Sequence, residues 1–113
     1  MLSAVTGVGV LMNSEEISKV EILKNGEMLL VLASGGKPMY QYIYREAADV
    51  YWDNERKAFK APAPRTRSHA DWYWHIVSIA ASGLGLSLKL SESPAWVNVP
   101  ESTKAEICGM SDT

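Results

Sequence analysis

The tightest constraint on this chain lies in SHADWYWHIVSIAASG, residues 68–83. Ser68 followed by Asp71 makes an S-x-x-D start signal, and the acidic Asp71 suits the positive end of a helix. Gly83 and Gly85 supply a stop, so the spacing predicts a helix over 69–82. At about 100° per residue, Trp72, Tyr73 and Trp74 fan over about 200° of that helix, too wide for one platform. Trp72, Tyr73, Ile76, Ile79 and Ala80 make a core face, while Ala70, Trp74, Val77 and Ala81 carry the apolar surface round the back. Asp71, His75, Ser78 and Ser82 share the remaining narrow polar strip. A second surface must therefore cover the helix. Either the N-terminal residues or the 94–108 tail lie over it, or a second copy packs against Trp74 between the small Ala70 and Ala81.

The rest of the pattern is β-rich. KVEILKNGEMLLVLAS, residues 19–34, holds Asn25-Gly26 between two apolar runs and predicts a hairpin over 18–33 with a type I′ turn. MYQYIYR, 39–45, alternates Tyr40, Tyr42 and Tyr44 with other residues and is read as a strand, although a helix would also group Tyr40, Ile43, Tyr44 and Ala47. Strands follow near 50–53 and 57–60, closed by a polar loop, and Pro62 and Pro64 make 61–65 an extended connector. Leu84, Leu86, Leu88 and Leu90 recur at period 2 in a strand near 84–91, with a turn at Ser93-Pro94 and a short edge strand at AWVNV. The expectation is an α+β domain, an antiparallel sheet of about five strands packed on one main helix. Residues 1–12 read as a loose leader or an extra strand, and 101–113 as a frayed tail with one helical turn near 102–108.

With 113 residues, 47% hydrophobic and 21% charged, the chain has the size and composition of one globular domain. The lone Cys108 allows no internal disulfide and fits a reducing cytoplasm. Neither a secretory leader nor a membrane span is legible. The net charge of −2 hides an asymmetry: Arg56, Lys57, Lys60, Arg65 and Arg67 face only Glu55 between Asn54 and His69. Basic groups beside Trp52, Phe59 and the aromatic helix start suit an anionic ligand, an acidic partner or a nucleic-acid backbone. They equally suit a solvated connector whose stems lie over an apolar rim.

Catalytic signals are weak. Asp71 and His75 stand four residues apart, within reach for an acid–base pair, but an N-terminal helix acid beside a surface histidine explains them as well. His69 and His75 are about 240° apart on the helix and cannot share an ion, and no zinc spacing occurs, so no metal is assigned. TGVGV at 6–10 lacks a following helix and a Lys-Ser/Thr pair, so it is no phosphate loop, and no cofactor is assigned.

Residues 19–100 resemble small uncharacterised proteins encoded by bacterial integron gene cassettes, with YQYIYREAA-x-VYWD, residues 40–53, as the most distinctive motif. The resemblance implies a chain that begins near Met12 and a glycine at position 49, where this sequence has Asp49. It implies a bacterial, cytoplasmic accessory protein, and it offers no assigned catalytic residues to carry over. The functional expectation is a non-enzymatic binding or interaction protein, a homodimer, antitoxin- or immunity-like in one version. Its contact surface is Trp52, Arg56, Lys57, Lys60, Arg65 and Arg67. The alternatives are a small enzyme or small-molecule binder with a Tyr/Trp-lined pocket, and nucleic-acid binding through 56–67.

Overall fold

The computed structural model describes residues 13–47 and 49–111, so the expectation for residues 1–12 lies outside the described residues. Strand β1 (Asn13–Ile22) pairs antiparallel with β2 (Met28–Leu32), as the Asn-Gly signal implies. The turn differs from the expected type I′. Only Gly26 of the pair has a positive φ, +94°. Leu23 and Glu27 close a three-residue loop, with Leu23 N–H to Glu27 O at 2.8 Å and Gly26 N–H to Leu23 O at 2.9 Å. A loop of this length needs one left-handed residue rather than two. Asn25 instead contributes its side chain, accepting from Glu27 N–H at 3.0 Å.

The segment at 39–45 departs most from expectation. It is a 3₁₀ helix, Pro38–Arg45, rather than a strand. Pro38 opens it, where its fixed φ suits a first turn and its missing N–H is not needed. With three residues per turn, Tyr40 and Ile43 fall on one ridge, and both are fully buried. The alternation of tyrosines was therefore the wrong period. The turn after it is closed by Val50 N–H to Ala47 O at 3.0 Å.

β3 (Tyr51–Asp53) and β4 (Ala58–Ala61) form the second hairpin. Asp53 organises its loop by accepting from the backbone of Glu55 and Arg56. Helix α1 (His69–Leu84) starts with a complete capping box, Asp71 N–H to Ser68 Oγ at 3.1 Å and Ser68 N–H to Asp71 Oδ2 at 3.4 Å. It runs two residues past the expected end, because Gly85 rather than Gly83 takes the left-handed cap. Gly83 stays helical and lets Glu46 lie against it, where a Cβ would come within 2.2 Å of the Glu46 Cγ.

β5 (Leu86–Val97) joins the two C-terminal strands expected separately, and it pairs parallel with β1. The sheet, in the order β3-β4-β2-β1-β5, is therefore mixed rather than antiparallel. Between Leu90 and Ala95 the β5 register slips, which absorbs the Ser93-Pro94 turn signal without ending the strand. α2 (Glu101–Ser111) replaces the expected frayed tail, packing on α1 with Ile107 fully buried. Lys104 Nζ lies 5.6 Å from the Trp96 ring and ties α2 to β5.

Ile17, Val20, Met28, Leu30, Phe59, Tyr73, Ile76, Ala80 and Leu86 fill the core between sheet and helices. Burying each Val, Leu, Ile or Phe contributes about 1.5–3 kcal/mol. One carboxylate shares that space. Glu15, 8% exposed, accepts from the buried Tyr40 hydroxyl at 2.6 Å and from the Ser34 hydroxyl. Burial first, then the hydrogen bond and charge of Glu15, push the Tyr40 phenol well above its ordinary pKa, so it stays a donor. Tyr40→Phe removes one of the two hydroxyl donors to the buried carboxylate and is expected to cost about 1–3 kcal/mol in urea unfolding at neutral pH. Tyr42→Phe, on the exposed ridge, should stay within about 0.5 kcal/mol.

Candidate binding surfaces

Asp71 and His75, the weak acid–base candidates, find separate partners. The Asp71 carboxylate turns back to cap the helix at Ser68, while His75 lies edge-on to Trp72 with ring centroids 5.4 Å apart. Burial first and the nearby Arg67 charge second hold the His75 imidazole below its ordinary 6.5. His69, by contrast, places Nε2 2.8 Å from the Gly26 carbonyl oxygen, joining the first hairpin to the start of α1. Among the described residues, no three of His, Cys, Asp and Glu gather to hold a metal ion.

The basic segment divides into two groups. At the β3–β4 loop, Arg56 sits 3.9 Å from Asp53, and Lys57 donates to Asn54 at 3.3 Å. On β4, Lys60 lies 3.9 Å from Glu27. Strand β4 separates these groups from Arg65 and Arg67, which stand at the approach to α1. The guanidinium of Arg67 lies over the Trp72 ring, 4.8 Å from its centroid, and Trp72 is itself buried against the core. Arg65 lines a cleft of about 340 Å³ together with Asp49, Pro62, Ala63, Thr66 and Trp72.

Trp52 belongs mostly to the interior. It packs edge-on to Tyr40 and Phe59, with centroids 5.4 and 4.9 Å away, and its far edge fills the space a side chain at Gly36 would need. Ala70 is also a core residue, 3% exposed, so it cannot line an outer face of the helix. Trp74 and Ala81 are half-buried, with the Trp74 ring edge-on to Tyr73 at 5.0 Å. Helix α2 packs on α1, so the 94–108 tail supplies part of the cover that the wide apolar arc required.

Sequence reasoning missed the most exposed apolar surface. Of the four large hydrophobic residues standing clear in solvent among the described residues, Met39 at 41%, Tyr42 at 44% and Tyr44 at 47% come from the 3₁₀ helix, with Tyr51 at 52% on β3. Spacing by three stacks Met39, Tyr42 and Arg45 into a ridge opposite the buried pair. Arg45 lies 4.8 Å from the Tyr42 ring and 6.0 Å from the Tyr44 ring. A hydrogen bond to Tyr44 leads the influences that raise its pKa further. A period-3 reading of PMYQYIYR was the signal that could have found this ridge.

The family model described as Integron Cassette Protein Hfx_Cass5 matches residues 22–94, which include both the ridge and the cleft. A solved structure, described as the integron cassette protein Hfx_Cass5 from the mobile metagenome of North West Arm Sewage Outfall, is 33% identical. That likeness covers 88% of this chain and 96% of the other, with a TM-score of 0.38. No curated protein matches the chain.

The Arg67–Trp72–His75 cluster sets a measurable titration. Because the folded state disfavours imidazolium, stability is full above the ordinary 6.5, falls as pH drops toward the folded value, and levels off below it. NMR titration should give His75 a pKa below 6.5, and Arg67→Gln should raise it toward that value. An unchanged titration in that variant would separate Arg67 from His75.

Proposed function

The chain belongs to the Hfx_Cass5 family of integron cassette proteins, and we propose that it is a non-enzymatic interaction protein that self-associates through its 3₁₀ ridge. The observation that carries this reading is the concentration of exposed Met39, Tyr42 and Tyr44 on a single short element, with Arg45 stacked on both rings. Tyr, Met and Arg are the side chains enriched at the centres of protein interfaces. Two tyrosines also present large rigid area at small entropy cost. The element behind them is firmly held, since Tyr40 and Ile43 anchor it in the core.

A second copy is the partner we favour, because two-fold pairing is the commonest way for a chain to cover an exposed apolar patch of this kind. The helix-back interface expected from Ala70, Trp74 and Ala81 is less suited, because Ala70 belongs to the core. A nucleic-acid track is likewise less suited, since Arg56, Lys57 and Lys60 already have partners within the chain.

Sedimentation over a range of concentrations reads the association. The wild-type chain should dimerise, and Tyr42→Ala with Tyr44→Ala should weaken it by at least about tenfold. Arg45→Glu should weaken it as well, because it replaces the cation held over the Tyr42 ring with a like-charged pair facing across the two-fold axis. A wild-type chain that stays monomeric at every concentration defeats the reading.

A further inference from the structure

The cleft beside the start of α1 holds two charges that do not neutralise each other. Asp49, in the turn before β3, and Arg65, in the connector before α1, both line it and both reach solvent. Neither forms an ion pair or side-chain hydrogen bond among the described residues. Elsewhere oppositely charged side chains meet, as Lys60 does Glu27 and Arg56 does Asp53. Here the opposite charges share one concavity yet stay apart.

Apolar residues line the cleft as well: Pro62 and Ala63, in a segment stiffened by Pro62 and Pro64, and Trp72. Trp72 cannot swing away, because it is buried, carries Arg67 over its face and has His75 against its ring. Thr66 adds a hydroxyl that can donate or accept. The volume, about 340 Å³, is enough for a small metabolite.

From this arrangement we propose that the cleft binds a small zwitterion, a molecule carrying an ammonium and a carboxylate on an apolar body, of the amino-acid class. Its carboxylate meets Arg65, its ammonium meets Asp49, and its apolar part lies along Pro62, Ala63 and the Trp72 edge. A simple anion would gain Arg65 but face the Asp49 carboxylate, and a simple amine would meet the reverse conflict. Only a ligand bearing both charges satisfies both residues. This site is separate from the 3₁₀ ridge and stands whether or not the chain dimerises.

The test uses the full ¹⁵N-labelled chain and three probes that differ only in charge: phenylalanine, 3-phenylpropionate and 2-phenylethylamine. Phenylalanine should give saturable shifts at the amides of Asp49, Arg65 and Thr66 and at the Trp72 indole N–H. Each singly charged probe should bind at least about tenfold more weakly, the effect of losing one charge-assisted contact. Asp49→Asn should weaken phenylalanine by a similar factor and narrow its advantage over phenylpropionate, and Arg65→Gln should narrow its advantage over phenylethylamine. Both side chains are exposed, so both variants should keep the wild-type spectrum outside the cleft. The proposal is overturned by the absence of saturable shifts, by phenylpropionate binding as tightly as phenylalanine, or by variants that bind phenylalanine unchanged.

Discussion

Strand β1 has to hide Glu15, Ile17, Val20 and Ile22 on one face while pairing with a neighbour on each side. Regular alternation forbids it, because Ile17 and Val20 are three apart and would point to opposite faces. The extra residue at Ser18 resolves the conflict. Ile17 opposes Leu32 and Lys19 opposes Val31, so β1 advances two positions where β2 advances one. Against β5 the surplus lies on the other strand, because the same step of β1, Ile17 to Lys19, spans Leu90 to Ala95 of β5. Without that bulge either the N-terminal or the C-terminal half of β1 would turn its apolar residues outward, away from the core they share with Tyr73 and Ile76 of α1.

Glu15 rests on the same device, since its position before the bulge aims a carboxylate into the core. Two hydroxyls, from Ser34 and Tyr40, meet it there. A satisfied buried polar pair specifies position more sharply than an apolar contact, because any shift leaves a charge without donors. Tyr40 is thereby fixed at the start of the 3₁₀ helix, and Ile43 anchors the next turn. Once those two residues face inward, a repeat of three dictates that Met39, Tyr42 and Arg45 face out. The exposed ridge is a consequence of what holds the interior.

The two surfaces have different origins. The ridge comes from a local helical period, while the Asp49–Arg65 cleft is assembled from a turn, a proline-stiffened connector and the first turn of α1. Arg65 and Arg67 were both visible as part of a basic run, yet they serve differently. Arg67 is spent on the Trp72 ring, and Arg65 is left to the cleft. Counting charges along the chain could not separate them, because what distinguishes them is the partner each finds across the fold.

Local signals in the sequence determined the α+β class, the first and second hairpins, and the capped helix with more apolar circumference than one sheet could cover. Capping boxes, Asn-Gly turns and runs of Val, Ile and Leu act over a few residues, so they can be read without knowing the fold. Tertiary structure alone decided that 38–45 coils with period 3, that β5 runs parallel to β1, and that the tail becomes α2. Those outcomes turn on which side chain becomes buried against which distant neighbour. Burial is a property of the assembled chain, and neighbouring residues in the sequence do not encode it on their own.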